Sequence, residues 1–368
     1  MNRFSRLLFV VLLAPLSAVS GQNTPPPQLQ PRPAGPANIA SPPALSGPNR
    51  QIALDVQVTD KSGAPIRGLQ KQDFTVLDDK QPRDIVSFQA VDSGTAAASA
   101  APVEILLVVD AVNTSYQAVS YERGEIRKFL LRNGGVLAQP TALMIFSDDG
   151  VKVQNGSSRD GNALAAEYDR YETGLRTINR SSGFYGASER FSMSLKTVGS
   201  LAAYAGARPG RKLVIWISPG WPLLSGPGIE MSDKSRQQLF QSVVAASTEL
   251  RQAGVTLYDV DPLGLADAGG VRIEYYKQFL KGVPSSSRVL PGNLGLQVLA
   301  VQSGGRVINS TNDLATAIVD CAADADAFYV LSFNSNPADQ ANEYHSLAVV
   351  VNKPGTAVRT RTGYYAQP

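Results

Sequence analysis

The sequence predicts an α/β fold: a doubly wound, mostly parallel sheet inserted between N- and C-terminal β segments that together form a small β module. Three observations predict it. Five nearly continuous apolar runs, VEILLVVD, TALMIFS, KLVIWIS, VTLYDVD and RVINS, have the character of strands covered on both faces. Between them lie segments of amphipathic helical spacing, and strands alternating with helices imply right-handed crossovers and a parallel sheet. On either side of this middle the text becomes pure strand, and about three strands on each side are too few to be stable alone.

The elements run in order along the chain. Residues 1–21, MNRFSRLLFVVLLAPLSAVSG, place Arg3 and Arg6 before an apolar run of about a dozen residues and then small residues, the anatomy of a secretory signal peptide. The run is short for a bilayer span, so the chain is expected to be exported, periplasmic or extracellular, with no membrane span after cleavage. Residues 22–50 are dominated by Pro, Ala, Gly and Ser, a composition that buries no core and reads as a disordered tether.

From Gln51 the pattern alternates strictly, with Ile52, Leu54, Val56 and Val58 on one side, which defines a half-buried strand. A turn at Lys61 to Pro65 comes next, and FTVLDDKQPRDIVSF reads as two strands around a bend at Asp78, Asp79 and Lys80. This first β segment spans 51–92. The α/β domain is read as 103–325. Val119, Ile126 and Leu130 share one helical face; Phe191, Leu195, Val198 and Ala202 a second; Leu239, Val243, Ala246 and Leu250 a third. Gly254 and Gly304 stand where helices end, and Asn312 is the expected N-cap of the last one. Residues 326–368 return to strands and are expected to pack with 51–92.

Composition removes several functions. Net charge is +3 with 18% charged residues and no internal Lys/Arg block, which argues against nucleic acid as a partner. One cysteine, Cys321, excludes an internal disulfide, and its helical spacing with Leu314 and Ile318 makes it a core residue. One histidine, His345, excludes a multi-histidine zinc site and is read as a surface strand residue. There is no G-x-S-x-G elbow, and the glycine-rich stretches lack phosphate-loop spacing.

In an open α/β sheet, ligands bind at the carboxyl edge of the strands. Here that edge carries Asp110, Asn113, Thr114 and Ser115; Ser147, Asp148 and Asp149; Ser218, Pro219 and Gly220; Asp259 and Asp261; and Asn309, Ser310 and Thr311. Such a rim of oxygen donors suits a hard divalent cation such as magnesium. Trp221, Leu223 and Leu224 come after one strand end, either as exposed contact residues or packed under the long loop from Ala266 to Pro291, which is long enough to be a lid. The triplets at Asn113, Asn155, Asn179 and Asn309 are chance sequons of polar loops.

These residues resemble the von Willebrand factor type A domain, in its secreted bacterial VWFA-related (Acidobacterial-type) branch. The resemblance is carried by LDVQVTDKSGAPIRGLQKQDFTVLDDKQPRDIVSF, LLVVDAVNTS, GRKLVIWISPG, YDVDPLG and TRTGYY. It implies a metal-ion-dependent adhesion site with Asp110 and Thr114 as ligands. That site is degenerate: Val112 stands where the first metal-binding serine belongs, and Ser218 where the third loop carries an aspartate. Ser181, Ser182 and Ser188 are equivalent candidates for the second-loop threonine. Asp261 or Asp148 could substitute as ligands, so magnesium is the one cofactor considered. Without metal, Asp110 and Thr114 would cap the following helix.

The expected function is a non-catalytic, adhesion-type module of the bacterial envelope or exterior that binds a protein or surface polymer through rim residues Asn113, Asp148, Trp221 and Asp261. The alternatives are a metal-assisted hydrolase or small-ligand binder using the same acids, and a structural subunit of an envelope assembly. A pocket of converging polar groups with perturbed acids would favour the second reading, a broad rim with Trp221 exposed the first, and an unpaired module edge the third.

Overall fold

The computed structural model describes residues 50–92, 102–154, 156–171, 183–222, 224, 231–264 and 272–368. The signal peptide and tether, Ser181, Ser182, Leu223, Asn155 and Asn179 lie outside them. No described helix is long and apolar enough to cross a membrane.

The β module is a pair of four-stranded antiparallel sheets. β1 (Gln51–Thr59), β2 (Phe74–Asp78), β3 (Gln81–Arg83) and β4 (Ile85–Asp92) come from the first segment. The expected two strands after the first turn are therefore three, because the Asp79–Lys80 turn and the kink at Asp84 divide the run. From the second segment come β12 (Ala327–Asn334), β13 (Glu343–Val351), β14 (Ala357–Arg359) and β15 (Gly363–Ala366). The orders are β14-β1-β12-β4 and β15-β13-β2-β3, so each sheet interleaves strands of both segments. Inward residues meet in one core containing Leu54, Val56, Phe74, Val76, Leu331, Phe333, Val349 and Tyr364. Neither segment could bury this face alone, which is why chain separated by the whole α/β insertion comes together. β4 ends its sheet, and its exposed positions include Val86.

The α/β domain enters after β4 and returns at β12, and these strands pair with Asp92 opposite Ala327. An insertion whose ends are neighbours leaves the parent pairing intact. Its sheet contains β5 (Val103–Asp110), β6 (Val136–Ser147), β7 (Gly150–Val153), β8 (Ser158–Asp160), β9 (Arg211–Ile217), β10 (Val255–Val260) and β11 (Val307–Ile308). The order is β11-β10-β9-β5-β6-β7, with β8 also on β6. Pairings from β6 through β11 along that order are parallel, while β7 and β8 run antiparallel to β6. This is the doubly wound order, which reverses direction between β5 and β9.

Helices cover both faces. α1 (Tyr116–Leu130), α2 (Gly161–Arg170) and α7 (Leu314–Ala322) pack on Ile105, Leu107, Val109, Ile215 and Tyr258. α3 (Gly183–Gly206), α4 (Asp233–Gln252) and α6 (Leu296–Gln302) pack on Leu106, Val108, Val214, Trp216 and Leu257. Between α4 and α6 lies the short α5 (Arg272–Tyr275). Cys321 is buried within α7, as its spacing implies. Gly254 and Gly304 take left-handed φ of 63° and 92° just beyond α4 and α6. The cap of α7 is Asp313 rather than Asn312, its carboxylate accepting from Thr316 N at 2.9 Å. α1 is capped by Ser115, not by Asp110 or Thr114.

Insert and module belong to one compact unit. Arg211 of β9 pairs with Asp55 of β1 at 3.2 Å. Asp324, just after α7, accepts from Tyr258 Oη and Arg359 Nη2, both at 2.7 Å. Charged groups drawn from β1, β14 and the insert thus satisfy one another where apolar packing ends.

Candidate functional site: an acidic cleft at the sheet edge

Side chains alternate along a strand, so Asp110 shares a face with Leu106 and Val108, Ser218 with Val214 and Trp216, and Asp259 and Asp261 with Leu257. All four acids and hydroxyls therefore point to the α3/α4/α6 side of the sheet. Where the strands end, they bound a cleft of about 350 Å³. Its walls include Asn113, Arg190 of α3, Trp221, Asp259, Asp261, Tyr275, Tyr276, Gln297 of α6 and Asn309. It sits on the β9–β10 side of the switch point, where an open α/β sheet leaves a crevice.

Asp110 is fully buried, and its two oxygens are occupied by four N–H groups. Oδ1 accepts from Val112 N at 2.9 Å and Asn113 N at 2.8 Å. Oδ2 accepts from Asn113 Nδ2 at 2.8 Å and from the Trp216 indole at 3.1 Å. A carboxylate has about four acceptor positions, so this one is saturated. Burial still raises its proton affinity above the ordinary value; Asn113, Trp216 and Ser218 moderate the rise.

This arrangement does not fit a metal ion at Asp110. Val112 is fully buried in the apolar cluster with Trp216 and Trp221. Thr114 is buried, and its hydroxyl lies beside Glu122, whose raised proton affinity it moderates, rather than joining Asp110. A cation would have to expel the Trp216 and Asn113 donors. Asp148 lies in the exposed turn between β6 and β7, on the far side of β5 and outside the cleft lining. Ser188 of α3 is not among the cleft walls.

Asp259 is the opposite case. It is fully buried, yet among the described residues neither carboxylate oxygen has a well-formed hydrogen-bond donor; the Gln297 amide lies near and only moderates its proton affinity. Burial, followed by the charges of Asp261 and Asp110, holds its carboxyl well above the ordinary range. Glu122 of α1 repeats the pattern behind the sheet edge, pushed up by burial and then by Asp110 and Asp261. Glu122 belongs to no motif, which is why motifs do not reveal it, although it lies three residues after Val119 and four before Ile126, inside the buried stripe. Asp261 is nearly buried, and its Oδ1 accepts from Leu263 N at 2.9 Å.

Of the two readings of Trp221, exposed contact residue or packed side chain, burial favours the second. It is 6% exposed, packs edge-on against Trp216 at 5.4 Å between ring centroids, and forms part of the cleft wall. Burying an indole removes a large apolar area from water, and the apolar Trp216–Val112 surface beneath it supplies the partner. The loop after Ala266 does reach the rim, through Tyr275 and Tyr276.

No protein-family model matches the chain. No curated protein matches it either. Among solved structures, it is similar to the human COPII-coat protein Sec24c, at 10% identity and a TM-score of 0.34, covering 76% of this chain and 46% of that one. It is also similar to the manganese-loaded Plasmodium vivax TRAP protein, at 12% identity and a TM-score of 0.30, covering 75% and 97%. This chain thus spans less than half of the Sec24c chain. At these values neither likeness assigns a family, and fold and site stand on the geometry above.

Proposed function

We propose that this is an exported, non-catalytic binding protein that captures a partner protein by taking one of its cationic side chains into the cleft beside Asp259, without a metal at Asp110. The observation that carries this reading is Asp259 itself: a wholly buried carboxyl that lines a cleft and, with only the Gln297 amide close by, has no well-formed donor among the described residues. A buried acceptor without a donor costs the fold about 1–3 kcal/mol, and an incoming ammonium or guanidinium relieves that cost. Asp261 adds a second acid, while Arg190 offers the opposite charge to a neighbouring carbonyl or carboxylate of the same segment. The tyrosines of the long loop supply aromatic walls, as binding hot spots do.

The cleft also favours the small-ligand reading over a broad flat rim, since its volume falls in the range of about 300–1,000 Å³ typical of ligand sites. Both readings share the acidic floor. They differ in proton linkage: a cationic group ionises Asp259 and releases a proton, whereas a neutral hydroxylated ligand does not.

The two tryptophans of the chain, Trp216 and Trp221, both stand at this site and give the readout. Fluorescence titration with lysine- and arginine-bearing peptides, against acidic and neutral ones and against oligosaccharides, is expected to show binding of the basic peptides only. That binding should tighten as pH rises and weaken in Asp259→Asn. Equal response to neutral peptides, or no effect of Asp259→Asn, would sink the proposal; saturation by oligosaccharides without proton release would favour the small-ligand reading.

A further inference from the structure

The β module holds a second cluster, unrelated to the cleft. β2 and β3 are joined by a two-residue turn in which Asp79 and Lys80 both take left-handed φ, 50° and 66°. Such turns match the twist of a hairpin and aim the first turn residue back over it. On β13, Leu347 lies opposite Asp78, so His345, two residues earlier, shares its face. His345 was expected on the surface; it is only 8% exposed, because it faces the sandwich core and stacks on Tyr364, its cross-strand partner, at 5.1 Å and 16°.

Three ligand atoms converge here. His345 Nδ1 is 2.9 Å from Asp79 Oδ2 and 3.5 Å from Asp78 Oδ1. Neither contact has the direction of a hydrogen bond: Nδ1 and the fully buried Asp78 Oδ1 are both without a partner. The remaining oxygens are tied back. Asp79 Oδ1 accepts from Ser346 N at 2.8 Å and Ser346 Oγ at 2.9 Å. Asp78 Oδ2 accepts from Tyr364 Oη at 3.2 Å and lies 3.4 Å from Arg83 Nε. Outer hydrogen bonds of this kind orient metal ligands, leaving one oxygen of each carboxylate and one ring nitrogen turned toward a shared point.

We propose that Asp78, Asp79 and His345 bind one zinc ion, which clasps the β2–β3 hairpin to β13. Ligands about 2.1 Å from zinc lie about 3.0 Å apart at right angles and about 3.4 Å apart at tetrahedral angles. The observed 2.9 and 3.5 Å bracket those edges. Two carboxylates neutralise the ion's charge. The imidazole selects a borderline transition ion over magnesium, which prefers oxygen and water, and calcium, which takes about 6–8 oxygens. The Asp79 side chain is half exposed, which gives the ion an entry and water a fourth position. The site joins the two segments on either side of the insertion, so the ion would fasten the module where its halves meet.

The test uses the purified protein with zinc chloride alone, against magnesium and calcium. Because His345 is the single histidine, its ring proton resonances need no assignment. One equivalent of zinc is expected to shift them and raise the unfolding temperature, while magnesium and calcium do neither. Asp79→Asn keeps a residue that tolerates the left-handed turn and should weaken zinc binding by more than about tenfold. His345→Gln, which leaves the turn untouched, should abolish the stoichiometric step. Ring signals unmoved by zinc, undiminished binding in both variants, or equal binding of magnesium would overturn the proposal.

Discussion

Asp110 and Asp259 are the same residue type, both fully buried, at the carboxyl ends of strands in one sheet and on one face of it. Asp110 receives four N–H groups, and Asp259 receives none of good geometry among the described residues. The difference arises from the path of the chain just beyond each strand. After β5 the chain turns at once into α1, wrapping the Val112 and Asn113 amides around the carboxylate, and Trp216 reaches across from β9. After β10 the chain leaves toward a long loop, and the Leu263 amide goes to Asp261 instead. An acid at a sheet edge is thus closed or open according to the donors around it: the motif residue has become part of the scaffold, and the acid beside it faces the cleft.

The largest test of that contrast is Trp221→Ala. If Trp221 were a surface contact, truncation would leave stability unchanged; as a buried ring on Trp216 it is expected to cost about 3–5 kcal/mol, read from urea unfolding. Asp110→Ala comes next. It strands the Trp216 indole and the Asn113 amide in the interior and should cost about 3 kcal/mol, with magnesium shifting the unfolding temperature of neither native nor variant protein. A magnesium-dependent rise lost in the variant would reopen Asp110 as a ligand.

Asp259→Asn is expected to act in the opposite direction. The folded chain keeps the Asp259 proton to higher pH than the unfolded chain, whose ordinary value is 3.8. Charging it therefore costs stability, a cost absent below that value and growing as pH rises toward the elevated folded one. The variant should be more stable than the native protein at neutral pH, with the gain fading to nothing toward pH 3.8. A variant less stable at every pH would mean that Asp259 has a donor within the protein. The smallest effect is expected from Ser218→Ala, which removes the hydroxyl that accepts from Gly220 N at 3.2 Å and supports Asp110. A loss of about 0.5 kcal/mol in urea unfolding, with the cleft still binding its probe, would show that Asp110 stays closed without it.

Much of this was legible in the chain. Continuous apolar runs and alternation identified the strands and their faces, since burial on two sides or one leaves different residue patterns. Short or divided strands were not legible in this way: RVINS forms only the two-residue β11, and TAVRTRTGYYA breaks into β14 and β15. So few residues carry no periodicity to read. Within the site, the strand ends placed Asp110, Ser218, Asp259 and Asp261 along one edge, whereas Glu122 escaped notice because a lone acid inside the apolar stripe of α1 belongs to no motif. Asp148, named from the same rim, falls outside because the chain turns straight back into β7.

The sequence by itself determined the doubly wound sheet, its insertion into a β module of two chain segments, and the row of acids along one edge. Those properties follow from local patterning, which each segment carries alone. Tertiary structure decided which acid is satisfied, that Trp221 is covered, and that Asp78, Asp79 and His345 share a point. Each of these depends on groups brought from distant parts of the chain, and a hydrogen bond, a covered ring or a ligand set exists only once both sides are in place.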